Sequence, residues 1–242
     1  MALYDDIAGF YSEIFPVKKA RLEFIDSVSD RDDIRILDIG CASGELALAL
    51  AQKGYRVFGI DRDKKMLQVA ERSARERGSS AEFRPLDMID IGGYFPSASF
   101  DLVLCFGNTL PHMDGPEQVG AFLAGVFFVL RAGGRLVVQI VNYDRILAQG
   151  IKELPLLESE NYIFQRRYED VQSGRYLRFV SELTVKKSGR LIKNNHRLYP
   201  LTAGELSEAI SSAGFSSFSF LGDEAGHPYS QDSPGLLAIA DK

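Results

Sequence analysis

The chain holds 242 residues, 45% of them hydrophobic and 25% charged, with a formal net charge of −5. That length fits one large domain, or a domain carrying an inserted subdomain, with an ordinary soluble composition. An acidic chain without a basic tract excludes nucleic acid as the main partner, because phosphate neutralisation needs clustered Lys and Arg.

The N-terminal segment MALYDDIAGFYSEIFP lacks both a cationic start and an unbroken apolar core, so it does not read as a signal peptide. No apolar run approaches the ~20 residues of a membrane span. The two cysteines, Cys41 and Cys105, cannot build a disulfide framework or a zinc site. A soluble cytoplasmic protein in a reducing compartment, with no membrane partner, is therefore expected. Aromatic residues Tyr4, Phe10, Tyr11 and Phe15 precede Val17, Ala20, Phe24, Ile25 and Val28, which follow a helical period. This stretch is either a helix packed on a sheet edge or a flap over an active site.

From residue 34 to about 141, short apolar runs alternate with helical segments. IRILDI is a strand, and GELALALAQKG a helix stopped by Gly54. YRVFGID is a second strand, followed by a helix from Lys64 to Arg77 closed by Gly78. AEFRPL is a weaker third strand, because Pro85 cannot donate to a ladder. FDLVLCF is a fourth; a helix from Glu117 to Leu130, a Gly133–Gly134 turn and a fifth strand, RLVVQIV, follow. Apolar strands separated by helices imply a parallel sheet covered on both faces, a doubly wound α/β fold.

The pattern changes after residue 150. NYIFQRRYED, RYLRFVSELTVKK and RLIKNNHRLYPL read as longer strands joined by polar turns, VQSG and KSG. Leu177, Phe179, Leu183 and Val185 share one face while Arg178 and Glu182 take the other, the period of an antiparallel sheet with one covered side. TAGE, from Thr202 to Glu205, is a capping box opening a helix that Gly214 ends, and FSSFSFL and GLLAIAD supply two last strands. Residues 1–150 and 201–242 thus form the α/β domain, and 151–200 an inserted antiparallel β subdomain.

Chemistry concentrates at the carboxyl ends of the strands, where doubly wound sheets bind ligands. In LDIGCASGELA a strand ends in Asp38, and Gly40, Cys41, Ala42, Ser43 and Gly44 form a nearly side-chain-free turn into a helix. Such a turn lets backbone approach a ligand, but the spacing is neither G-x-G-x-x-G nor a P-loop. A carboxylate there suits an ammonium group better than a pyrophosphate. Ala42 fits this turn provided its backbone keeps φ below zero. Asp61, ending the second strand, can accept two hydrogen bonds from a ribose diol. Asp87 and Met88 after the third offer an acceptor beside an apolar side chain, where an adenine could dock. Three acids on three successive tips match an adenosine carrying an amino acid.

ILDIGCASGELA, VFGIDRDKKMLQVA, FDLVLCFGNTLPHM and LRAGGRLVVQIVNYDRIL resemble, in order and spacing, the motifs of class I S-adenosylmethionine-dependent methyltransferases. The resemblance implies a Rossmann-like, mostly parallel seven-stranded sheet, with S-adenosyl-L-methionine as cofactor and S-adenosyl-L-homocysteine as product. It places Asp38, Gly40, Cys41, Ala42, Gly44, Asp61, Arg62, Met66, Asp87, Met88, Phe106, Gly107 and Asn108 on the cofactor. Cys41 can equally be packing. GNTLPHM and NYDRIL are similar to segments of the glycine and sarcosine N-methyltransferases, whose antiparallel insertion is a lid over the substrate. That likeness implies acceptor contacts from Tyr11, Asn142, Tyr143, Arg145 and Arg197, with His112 and Tyr143 catalytic. Where the glycine enzymes carry a carboxylate-gripping Arg, this chain has Val141, so glycine itself is not implied; Arg145, Arg166 or Arg197 are the substitutes.

The expected function is methyl transfer to an N or O atom of a small-molecule acceptor. His112 is a base for an oxygen acceptor or a histidine capping the next helix, and Tyr143, Tyr11 or Phe15 line the methyl path. The alternatives are a catalytically silent cofactor-binding domain acting as partner or sensor, and a nicotinamide-dependent oxidoreductase. No metal is implied, and a homo-oligomer stays open.

Overall fold

The alternation of apolar runs and helical segments folds as its two periods dictate. The structure, a computed structural model, describes residues 9–29, 33–170 and 175–242; Tyr4 and the VQSG turn lie outside the described residues. Helices α1 (Tyr11–Ile14) and α2 (Lys19–Val28) precede a Rossmann-like succession. It runs β1 (Arg35–Ile39), α3 (Glu45–Gln52), β2 (Arg56–Asp61), α4 (Lys64–Arg77), β3 (Glu82–Pro85), α5 (Ile91–Tyr94) and β4 (Phe100–Cys105). A 3-10 turn at Leu110–His112 leads to α6 (Pro116–Val129), β5 (Leu130–Val141) and α7 (Tyr143–Gln149). Strands β6 (Leu157–Glu158), β7 (Tyr162–Asp170), β8 (Leu177–Val185) and β9 (Arg190–Leu198) follow, then α8 (Ala203–Ser212), β10 (Ser217–Leu221) and β11 (Gly235–Asp241).

Seven strands form one sheet in the order β10-β11-β5-β4-β1-β2-β3, in which β11 alone runs against the rest. Both faces are covered. Leu37, Val103 and Val138 pack on one side with α6, while Ile36, Leu102, Leu104 and Val137 pack on the other with α2 and α3. Pro85 is tolerated because it ends an edge strand of four residues. Order reverses between β1 and β4, which opens a crevice at their carboxyl ends.

Two local expectations change. Gly133–Gly134 is not a turn between helix and strand but a bulge inside β5. Phe100 pairs with Leu130 and Leu102 with Arg135, so the strand carries extra residues there. A Cβ on Gly134 would lie 2.9 Å from the Arg131 carbonyl oxygen and 3.1 Å from that of Asp101, so only glycine fits. The two-residue β6 carries no periodic signal and was not expected.

Strands β6 to β9 form a separate antiparallel sheet. Its outer face holds Glu182 between Arg167 and Lys193, at 3.4 and 3.2 Å. Its inner face is largely apolar: Tyr162, Phe164, Leu183 and Ile192 bury together with Ile14, Ala42 and Met66. Thus α2 packs on the large sheet through Phe24 and Ile25, and the segment before it covers the β1 turn. Glu13 ties this segment to the small sheet, accepting from Ser159 Oγ at 2.7 Å and Asn161 Nδ2 at 3.2 Å.

Candidate active site

At the tip of β1 the backbone N–H groups of Gly40 and Cys41 both donate to the Ile60 carbonyl, pinning the turn to β2. Gly40 has φ +69°, and a Cβ there would lie 2.5 Å from Thr109 Cγ2 in the loop after β4. Glycine therefore allows the β1 and β4 tips to approach. Gly44, at φ +78°, opens α3. Ala42 departs from expectation: its φ is +48°, in the left-handed region, at a cost of about 1–2 kcal/mol for a residue with a Cβ. Its buried methyl packs under the small sheet in return.

Asp38 is 3% exposed, and its Oδ2 is buried without a hydrogen-bond partner among the described residues. Burial pushes its carboxyl up to about 7, against the opposing field of Arg21. The Arg21 guanidinium lies 4.8 Å from the Phe106 ring centroid, and its Nε pairs with Glu224 at 2.6 Å. Cys41 is a packed thiol whose pKa burial raises well above the usual range, not a nucleophile.

Asp61 joins two turns: Oδ2 accepts from the Ala42 N–H at 2.9 Å and Oδ1 from the Asp63 N–H at 2.8 Å. Burial raises its pKa against those two bonds. Each oxygen keeps acceptor capacity for a ligand diol. Arg62 is mostly exposed and lies 3.8 Å from Asp87, whose Oδ1 also accepts from the Ile89 N–H. Met88 is half-buried against the main core. Met66 is fully buried under the small sheet, so in this conformation it supports the turn rather than facing an open cleft.

At the β4 tip the Gly107 N–H donates to Gln139 Oε1 at 2.9 Å. Asn108 adopts φ +61°; its Oδ1 accepts from the Val141 N–H at 3.0 Å, and its Nδ2 donates to the Tyr143 hydroxyl at 2.9 Å. Tyr143 is 1% exposed, and burial raises its phenol well above the usual value. It is a fixed hydroxyl, not a base. His112 packs edge-on against His196, ring centroids 5.6 Å apart. Burial, then His196 and Arg62, lower its pKa to about 4, so the imidazole is neutral at pH 7. It does not cap the next helix, whose N-cap is Gly115.

The expected acceptor residues divide. Tyr11 lies at the cleft, packed on Phe15 with ring centroids 5.1 Å apart and touching the cluster under the small sheet. Asn142 is taken up by structural hydrogen bonds. It is 1% exposed and caps α7, accepting from the Arg145 N–H at 3.0 Å and the Tyr229 hydroxyl at 2.9 Å. Its Nδ2 donates to the carbonyls of Ser230, Gln231 and Ser233. Arg197 points outward, ion-paired with Asp114 and 4.4 Å from the Tyr176 ring centroid. Arg145 donates to Gln149 within its own helix. Sequence reasoning missed Arg21, Tyr168 and His196. Arg21 did carry a signal: it interrupts the stripe Val17, Arg21, Phe24, Val28 on one helical face.

Asp38, Asp61 and Asp87 stand at or just beyond the tips of β1, β2 and β3, beside the point where strand order reverses. Residues 36–134 match the family model described as a methyltransferase domain. Among curated relatives, the ubiquinone biosynthesis O-methyltransferase of Chromobacterium violaceum is 35% identical over 109 residues, 45% of this chain and 46% of that protein. The chain spans about half the length of the curated relatives it matches. Two solved structures share the fold almost end to end. An S-adenosylmethionine-dependent methyltransferase from Clostridium acetobutylicum has TM-score 0.81 at 15% identity, covering 98% of both chains. The CcbJ methyltransferase of Streptomyces caelestis has TM-score 0.82 at 18% identity, covering 98% of this chain and 97% of that one.

Proposed function

We propose that this protein transfers a methyl group from S-adenosyl-L-methionine to a nitrogen or oxygen of a small molecule. The observation that carries the reading is Asp38: a buried carboxylate oxygen without a partner among the described residues, at a strand tip, facing the field of Arg21. That pair fits the ammonium and carboxylate ends of an amino acid, Asp61 fits a ribose diol, and Asp87 with Met88 flanks an adenine position. When bound, the cofactor supplies a methyl carbon on a cationic sulfur that leaves as a neutral thioether.

The chain's own residues then do three things. Asp38, Arg21 and Asp61 orient, and fixed geometry of this kind contributes about 7–11 kcal/mol to a displacement. The N-terminal segment and residues 151–200, which we take as a lid on the α/β domain of 1–150 and 201–242, exclude water. Neutral His112 accepts a hydrogen bond from the acceptor's O–H or N–H, and the Asn108–Tyr143 pair fixes the wall beside it. Both N- and O-acceptors suit such an imidazole. The narrower likeness to glycine and sarcosine N-methyltransferases rests on GNTLPHM and NYDRIL, and the burial of Asn142 as the cap of α7 weakens it.

Incubation with methyl-labelled S-adenosylmethionine and a panel of small amines, phenols and alcohols tests this. The expected result is a labelled acceptor formed in step with S-adenosylhomocysteine. Tight adenosylhomocysteine binding with no turnover supports a silent sensor instead; heat with NAD alone supports an oxidoreductase.

A further inference from the structure

Three cross-strand rows occupy the middle of the small sheet's inner face. Phe164, Leu183 and Ile192 form the first; Arg166, Ser181 and Asn194 the second; Tyr168, Phe179 and His196 the third. The first row packs over the β1 turn with Ala42 and Met66. The third meets the opposite flank of the cleft: the Tyr168 ring lies 6.4 Å from that of Tyr143, and His196 lies against His112. The middle row therefore spans the gap between the cofactor turn and the His112–Tyr143 wall. It alone of the three consists wholly of hydrogen-bonding side chains.

Packing does not call for that composition. A donor removed from water costs free energy unless something accepts from it. Yet Arg166 Nε is buried without a partner among the described residues. The guanidinium is nonetheless fixed: Nη2 donates to the Pro155 carbonyl at 2.7 Å, and the Phe164 ring centroid lies 5.4 Å from Cζ. Its neighbour Arg167, on the outer face, pairs with Glu169 and Glu182. Ser181 is 1% exposed in the same row.

We propose that Arg166, Ser181 and Asn194 form the acceptor's anion subsite and take a carboxylate on the molecule to be methylated. This deepens the methyl-transfer reading and rests on it. A planar carboxylate matches the rigid edge of a guanidinium, and its charge offsets the burial of the arginine. Ser181 Oγ and Asn194 Nδ2 add neutral donors along the row. Arg145 and Arg197 do not compete for this role, being engaged by Gln149 and Asp114. The aromatic third row gives an acceptor's ring a surface to lie on.

The test uses the full chain loaded with S-adenosylhomocysteine and matched probes: para-hydroxybenzoate against para-hydroxybenzamide, and para-aminobenzoate against para-aminobenzamide. Affinities are read by saturation-transfer NMR and calorimetry. The acids should bind about tenfold or more tightly than their amides, as charge-assisted bonds imply. Arg166→Gln should erase that preference and leave adenosylhomocysteine affinity unchanged. No acid preference, or one that survives in Arg166→Gln, overturns the assignment. If that variant does not fold, Asn194→Ala on the half-buried part of β9 serves: acid binding should weaken several-fold, and unchanged binding overturns the proposal. Failure of adenosylhomocysteine to bind the wild type sinks the methyl-transfer reading separately, while the acid–amide comparison on the free protein still decides the subsite.

Discussion

Asp38 sets the terms at the scale of single residues. Its carboxyl is pushed up to about 7 by burial, so the folded protein holds a proton there that the unfolded chain has already released at lower pH. The sign follows from linkage: a carboxyl whose folded pKa is raised costs stability, and the cost grows as pH rises from about 4 to 7 and stays above it. Asp38→Asn should therefore remove a penalty. We expect the free variant to melt at or above the wild-type temperature at pH 8, with the difference vanishing near pH 4, while adenosylhomocysteine affinity falls at least tenfold. A variant that melts lower at pH 8 and binds normally would contradict both halves. Ala42 is a second compromise, a left-handed residue whose methyl is buried under the small sheet.

At the scale of elements, the N-terminal segment and the small sheet are tied together beside the β1 turn. Glu13 bonds Ser159 and Asn161, and the Tyr162 hydroxyl donates to the Glu13 carbonyl at 3.3 Å. Glu13→Ala cuts the side-chain tie without touching either core, so we expect a melting temperature within a few degrees of wild type. The dissociation rate of adenosylhomocysteine should rise several-fold in stopped-flow chase; an unchanged rate would show that the two elements open independently. This element pattern was largely readable in the sequence, because period 2 and period 3.6 separate strands from helices, and Thr202 with Glu205 announced α8. The β5 bulge was not, since Gly133–Gly134 reads the same as a turn. Among site residues, the strand-tip acids were legible because topology alone places them. Asn142 misled because a buried cap and a ligand-facing amide look identical in one dimension. Arg166 was one of three arginines open in the sequence, and only cross-strand register separates it from Arg145 and Arg197; Arg21 and His196 likewise depend on side-chain reach that the folded chain displays.

For the molecule as a whole, the crevice between β1 and β4 collects groups from both ends of the chain. Arg21 arrives on α2 and Glu224 from the loop before β11, and they meet over Phe106. His112 comes from the 3-10 turn after β4 and His196 from β9 of the small sheet. Among the described residues no helix is long and apolar enough to cross a membrane. The central claim is that the cofactor's ammonium group takes the place of the missing partner of Asp38. Calorimetric titration of S-adenosylhomocysteine at pH 6, repeated in buffers of different ionisation enthalpy, tests it most directly. Asp38 is then mostly protonated in the free protein, so binding should release nearly one proton, seen as a buffer-dependent heat that Asp38→Asn lacks. Binding with no proton released, or no binding at all, would contradict the account.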